Sequence, residues 1–169
     1  MIWWAETPAA FIETIRALVD GYAEAGILLG KAPVALYEDV QEFWVAQDAD
    51  GALVGCGALH VIWEDLAEIR TVAVRPDARG IGVGSRIVET LLDAARRLGV
   101  QRVFVLTFEV AFFARHGFRE IEGAPVAPDV YEELLRSFDE GVAEFLDLES
   151  VKPNTLGNTR MLLHLDAGR

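Results

Sequence analysis

Glu68-Ile69-Arg70-Thr71-Val72-Ala73-Val74-Arg75-Pro76-Asp77-Ala78-Arg79-Gly80-Ile81-Gly82-Val83-Gly84-Ser85 runs from a β-branched strand through a Pro-Asp turn into a glycine-rich loop, and a helix begins inside the glycines. Glycine has no Cβ, so backbone N–H groups can converge on one point there, and the new helix directs its first unpaired N–H groups and the positive end of its dipole to the same place. The stretch predicts an anion site, most simply a phosphate site. A strand-to-helix turn that merely happens to be rich in glycine is the alternative.

Two common phosphate loops do not fit. A Walker loop needs Gly-x4-Gly-Lys-Ser/Thr, and no lysine follows any of these glycines. The dinucleotide fingerprint Gly-x-Gly-x-x-Gly, started at Gly80 or Gly82, places Ser85 or Ile87 where its last glycine belongs.

The rest of the chain narrows the class. Its 169 residues suffice for one self-supporting domain, taken here as 1–169, and 52% hydrophobic with 25% charged residues is a globular composition. The single cysteine, Cys56, excludes an internal disulfide, and with three scattered histidines no metal site is expected. There is no apolar run of about 18 residues, and Glu6 stands where a signal peptide would be basic, so a cytoplasmic protein is expected. A net charge of −12 argues against nucleic acid and anionic membranes as partners. Arg70, Arg75, Arg79 and Arg86 nevertheless gather around the glycine loop, where the local field can be positive, unless they simply solvate a surface.

Outward from the loop, Leu66 to Val74 is the strand that leads in and Val83 to about Leu98 the helix that leads out, with Ile87, Leu91, Leu92, Ala95 and Leu98 on one face. Arg102 to Thr107 is an apolar strand suited to a central position, which makes strand, helix and strand one parallel crossover. Upstream, Ile2 to Ala5 is a short strand, and Thr7-Pro8 starts a helix that ends at Gly26. Ile27 to Lys31 is a loop and Pro33 to Asp39 a short helix, and a hairpin pairs Phe43–Gln47 with Leu53–Ile62. Downstream, a helix over Val110 to His116 turns at Gly117-Phe118 into a strand. An extra helix is expected over Val130 to Phe138, with last strands at Glu144–Leu148 and Arg160–Leu165.

Arg79-x-x-Gly82-x-Gly84 after a valine-rich strand resembles the acyl-CoA pyrophosphate loop of the GNAT superfamily of N-acyltransferases. The blocks Gly26-Ile27-Leu28-Leu29-x-Lys31, Cys56-Gly57-Ala58-Leu59, Glu68-x-x-Thr71-Val72-Ala73-Val74, Phe104-Val105-Leu106-Thr107 and Phe112-Phe113-x-x-x-Gly117-Phe118 are together similar to the acetyltransferase domain of N-acetylglutamate synthases. Val151-Lys152-Pro153-Asn154 and Gly157-Asn158-Thr159-Arg160-Met161-Leu162 resemble the short actinobacterial type. The fold implied is α/β (α+β): a mixed central sheet flanked by helices, its parallel fourth and fifth strands splayed apart. Long versions carry an amino-acid-kinase-like domain, so arginine feedback through it is not carried over.

The resemblance implies acetyl-CoA as cosubstrate and a small-molecule amino-acid acceptor. Val72 and Val74 would pair their main-chain groups with the pantetheine, and Arg79, Gly80, Ile81, Gly82, Val83, Gly84 and Ser85 would hold the pyrophosphate, with Phe112 and Phe113 beside the cofactor. Glu68 would be the general base, working through a water, and the Val72 N–H the donor to the developing oxyanion. Many superfamily members place a tyrosine where this chain has Phe113, so Thr107 becomes the candidate donor to the sulfur. Its alternative role is that of a β-branched residue ending a strand. Lys31 and the main chains of Leu29 and Thr71 would hold the acceptor, as would Thr159.

Gly157 stands where long bacterial forms have an arginine, and Arg70, Lys152 or Arg160 would have to replace that charge. Glutamate is the acceptor expected, making N-acetylglutamate at the head of arginine synthesis, and glutamine is the alternative. Two further alternatives are a cationic amine or protein N-terminus, which the negative charge would favour, and an acyl-CoA sensor without turnover. Aromatic residues near the chain ends, Trp3 and Trp4 among them, point to a homodimer.

Overall fold

The apolar residues of the strands and the 3.6-residue apolar period of the helices are buried together by helices laid on the two faces of one sheet. The computed structural model describes residues 2–4, 8–28, 30–148 and 157–166. Its strands are β1 (Ile2–Trp4), β2 (Phe43–Gln47), β3 (Leu53–Trp63), β4 (Leu66–Val74), β5 (Arg102–Thr107), β6 (Arg119–Glu120) and β7 (Thr159–His164), in the order β1-β2-β3-β4-β5-β7-β6. Every pairing is antiparallel except that of β4 with β5. The helices are α1 (Pro8–Glu24), α2 (Pro33–Glu38), α3 (Val83–Arg97), α4 (Val110–Arg115), α5 (Pro128–Leu134) and α6 (Glu140–Phe145).

Three apolar clusters follow from this. One face of the sheet carries α3, whose Ile87, Val88, Leu91 and Ala95 are buried against Ala67, Ile69, Val103 and Val105. Helix and sheet come close here because of glycine: a Cβ on Gly57 would lie 2.7 Å from Ile87 Cγ2 and 3.0 Å from Leu91 Cδ1. The other face is divided. Ile12, Ile15 and Val19 of α1 cover Phe43, Val45 and Cys56. Farther along, Leu134, Val142, Phe145 and Leu146 cover Leu66, Phe104 and Leu162.

Most expected elements are present, with two corrections. Glu144–Leu148 is not a strand: α6 takes Glu140–Phe145, because the Asp139 carboxylate accepts from the Val142 N–H at 2.8 Å and caps a new helix. Val142, Phe145 and Leu146 then recur at i, i+3 and i+4, which buries all three on one helical face. The preceding helix starts at Pro128, whose fixed φ suits a first turn, and stops at Leu134 rather than reaching Phe138, which is fully exposed. Thr7, Leu29 and the block from Val151 to Asn154 lie outside the described residues. Among the described residues no helix is long and apolar enough to cross a membrane, and no group of three or more His, Cys, Asp or Glu is placed to hold a metal ion.

The feature that opens the sheet is a β-bulge in β4. Between the pairs Cys56↔Ala73 and Ala58↔Arg70, one residue of β3, Gly57, faces two of β4, Thr71 and Val72. Thr71 has φ +58°, a left-handed conformation that is uncommon for a β-branched residue. On its other side β4 pairs with β5 only over Leu66↔Arg102, Ala67↔Val103 and Glu68↔Phe104, and then the two strands part.

Candidate active site

Where β4 and β5 part, a cleft of about 650 Å³ passes between them. Its floor is the end of β4 from Ile69 to Val74, one wall is the glycine loop, and the other is the end of β5 with α4. Of the residues singled out from the sequence, Arg70, Thr71, Val72, Val74, Arg79, Gly80, Gly82, Val83, Gly84, Ser85, Thr107, Phe112 and Phe113 all line it. Ile81 does not, and its side chain is 77% exposed. Glu68, Lys31, Thr159 and Arg160 also stand outside the lining.

The glycine wall is a cradle made of main chain. Gly82 is the N-cap of α3 at φ +91° and makes no side-chain cap, and Gly80 has φ +78°, so both use backbone angles that L side chains rarely adopt. The helix therefore presents its first N–H groups with the favourable end of its dipole, the arrangement that suits an anion. Arg79 supplies the nearby charge. Its guanidinium donates to the Tyr22 hydroxyl at 2.8 Å and lies 5.1 Å from the centre of the Tyr22 ring. Across the cleft, Phe112 and Phe113 meet edge to face at 5.1 Å, with Phe113 mostly buried in the core.

Thr107 ends β5 and is buried, and its Oγ accepts from the Glu109 N–H at 2.8 Å. A hydroxyl used as acceptor keeps its own proton to donate, so Thr107 is a competent donor into the cleft. Thr159 is its cross-strand partner on β7.

The opposite face holds charges. His60↔Glu68 and Ala58↔Arg70 are register pairs of β3 and β4, so the His60, Glu68 and Arg70 side chains share the side of the sheet that α6 covers. Glu68, only 3% exposed, accepts from Arg70 Nε at 3.1 Å. Arg70 also donates to Asp139 Oδ2 at 3.1 Å, and its other terminal nitrogen lies 2.9 Å from Oδ1. The guanidinium is packed against Gly141, where a Cβ would come within 2.7 Å of it. His60 Nδ1 is 2.6 Å from Glu42 Oε1.

Burial pushes the Glu68 carboxyl above the usual range, with the Glu144 charge adding to it, against the opposing pull of Arg70 and His60. Asp139 goes the other way. Burial would raise it, but the Arg70 hydrogen bond and charge and the Val142 N–H outweigh that and bring it to about 2. A carboxyl held up in pKa beside a cation is the usual condition of a general base.

Of the remaining candidate cations, Lys152 lies outside the described residues, and Lys31 and Arg160 are engaged. Lys31 Nζ is 2.9 Å from Asp39 Oδ2. Arg160 donates to the carbonyls of Gly123, at 2.9 Å, and of Phe145, and its guanidinium lies over the Phe104 ring. Leu29 is not among the described residues. Cys56, buried and pushed up to about 12 by that burial, is no nucleophile. Among the residues of the site not foreseen from the sequence are Asp139, whose local signal was its place three residues before Val142, and Tyr22, which resembled any apolar position of an amphipathic helix.

Residues 8–118 match the acetyltransferase (GNAT) family. An amino-acid acetyltransferase of Mycobacterium tuberculosis is 64% identical over 156 residues, 91% of this chain and 89% of the relative. One from Aeromonas salmonicida is 34% identical over 70% of this chain but only 28% of its own length. Among solved structures, an M. tuberculosis protein in complex with CoA and NLQ superposes with a TM-score of 0.93 at 60% identity, covering 98% of this chain and 99% of that one. N-acetylglutamate synthase from Neisseria gonorrhoeae, in complex with CoA and N-acetyl-glutamate, gives 0.75 at 26% identity over 98% of this chain and 35% of its own.

Proposed function

The chain belongs to the GNAT acetyltransferase family, as an amino-acid acetyltransferase of the N-acetylglutamate-synthase kind, and from that premise we propose that it uses acetyl-CoA to acetylate the α-amine of L-glutamate, the first step of arginine synthesis. The observation that carries this reading is the parting of β4 from β5 beside the N-terminus of α3. It supplies, at one place, an open strand edge for an amide-containing arm and a main-chain cradle for a pyrophosphate.

Acetyl-CoA, when bound, supplies an acetyl group activated as a thioester. The chain does the rest. N–H groups from Gly80 to Ser85, with the Arg79 charge, hold the pyrophosphate end. The bulge at Thr71 and Val72 interrupts regular pairing of β4 with β3 at the cleft floor, and the Val72 N–H is assigned as the donor for charge that develops on the acetyl oxygen. Glu68 receives the proton of the acceptor ammonium through a water, since the carboxyl is buried and does not itself line the cleft. The Thr107 hydroxyl hydrogen-bonds the sulfur as it leaves. Lys31, Arg160 and Thr159, which stand outside the cleft lining, are the side chains assigned to the acceptor.

A second reading, glutamine as acceptor, is favoured by one observation: Lys31 already holds Asp39, and Arg70 already holds Glu68 and Asp139. A buried carboxylate without its own cation costs several kcal/mol, whereas a carboxamide needs only hydrogen bonds. Release of free CoA thiol from acetyl-CoA, measured with glutamate, glutamine, lysine and spermidine at matched concentrations, tests both. Turnover with glutamate is expected. Turnover with glutamine alone would establish the second reading, and turnover only with the cationic acceptors would overturn both.

A further inference from the structure

Val74 is where β4 turns its main-chain groups away from β3. The Arg75 N–H donates to the Val54 carbonyl at 2.8 Å, so the neighbouring pair Gly55↔Val74 is the one whose N–H and C=O groups point outward. On β4 that means toward β5, which left the ladder at Glu68.

The side chain of Tyr22, in the last turn of α1, meets these groups. Its hydroxyl donates to the Val74 carbonyl at 2.8 Å and accepts from the Val74 N–H at 3.2 Å. A third contact, accepted from the Arg79 guanidinium at 2.8 Å, uses the second lone pair, so one proton and two lone pairs are all satisfied. Arg79 also reaches the Val74 carbonyl, 3.4 Å from Nε, and lies over the Tyr22 ring. Tyr22, Val74 and Arg79 all line the cleft.

We propose that Tyr22 is a displaceable plug on the cosubstrate edge of β4: its hydroxyl and the amide groups of an acyl-CoA pantetheine arm compete for the same N–H and C=O of Val74. When the plug leaves, Arg79 loses its tyrosine partner and turns to the pyrophosphate. The proposal rests on the acyl-CoA reading of the cleft and adds to it a residue far from the glycine loop in sequence. An edge residue with both polar groups facing a groove is costly to leave unmet, and a phenol supplies the donor and acceptor that an amide arm supplies later. A competing plug also lowers apparent affinity by the fraction of molecules in which it is lifted.

Tyr22→Phe keeps the ring, its packing and the stacked guanidinium, and removes only the hydroxyl. Titration calorimetry with CoA is expected to show that variant binding about 3- to 10-fold more tightly than the wild type, the range set by one or two net hydrogen bonds. Stopped-flow association should be faster as well. Equal or weaker binding by the folded variant would overturn the plug alone. No CoA binding by either protein would overturn it together with the cosubstrate reading. If Tyr22→Phe does not fold, 13Cζ-tyrosine NMR of the wild type decides. With Tyr37→Phe and Tyr131→Phe assigning the other two signals, the Tyr22 resonance should move to a free-phenol position on saturation with CoA, and a resonance that stays in place would overturn the proposal.

Discussion

The α3 face and the α6 face of the sheet open onto the same gap between β4 and β5, yet they are made of different material. On the α3 face the working groups are main chain: glycine N–H groups, the first turn of a helix and the outward edge of Val74. On the α6 face they are side-chain charges that compensate one another, Glu68 with Arg70 and Arg70 with Asp139, beside a His60–Glu42 contact. Main-chain donors suit a partner that never changes, such as a pyrophosphate and its amide arm. Paired charges suit a proton transfer and a choice among acceptors, because changing one of them alters the energy of the rest.

The change expected to break the α6 face most completely is Glu68→Gln. It removes the carboxylate assigned as base, so the acetyl transfer rate should fall by about 10²–10⁴. CoA binding should survive, since the cradle lies on the other face. The fold should survive too, because Arg70 keeps Asp139 and is not left as an uncompensated buried cation. Turnover close to the wild-type rate in the folded variant would remove Glu68 from the mechanism.

The corresponding change on the α3 face is Gly82→Ala. At φ +91° a Cβ is strained by about 1–2 kcal/mol, although nothing lies within 4 Å of it. The backbone should relax away from the cradle geometry, weakening CoA binding by about tenfold while the acceptor KM stays put. Loss of acceptor affinity with CoA binding intact would mean that the two faces are not divided as described.

The same contrast decides what the sequence could disclose. The strand, cradle and helix lie within Glu68 to Ser85, so their physics is local and the letters carry it: β-branched residues, then glycines, then an apolar period. The bulge was invisible, because Thr71 is β-branched and so poorly suited to φ +58°, and nothing in the neighbouring letters announces that angle. The Arg70–Asp139 pair spans 69 positions and the Tyr22–Val74 contact 52, and no local pattern encodes such separations. Glu144–Leu148 was misjudged for a related reason: three apolar residues in five fit a strand as well as a helix, and the Asp139 cap, whose carboxylate also holds Arg70, decides between them.

Asp139 gives the finest test of the comparison, because it holds the α6 face together without touching the cleft. Asp139→Asn keeps a good N-cap for α6, so the helix should stay in place. What changes is charge. Arg70 is left with Glu68 as its ionic partner, and one negative charge disappears from the surroundings of Glu68, while His60, Glu42 and Glu144 remain as they were. Burial holds the Glu68 carboxyl above its ordinary range and Arg70 opposes that, so an Arg70 freed from Asp139 opposes it more strongly and the Glu68 pKa falls. Activity requires Glu68 ionised, and in the wild type it should decline as the pH drops through a raised carboxyl pKa. In Asp139→Asn that acidic limb should move to lower pH, with the plateau rate changed no more than about threefold if Glu68 stays in position, since a weaker base is also a slower one. A pH–rate profile of kcat/KM for the acceptor measures this directly. A limb that stays where it was, or moves upward, would mean that Asp139 serves only the helix and that Glu68 is tuned by burial alone.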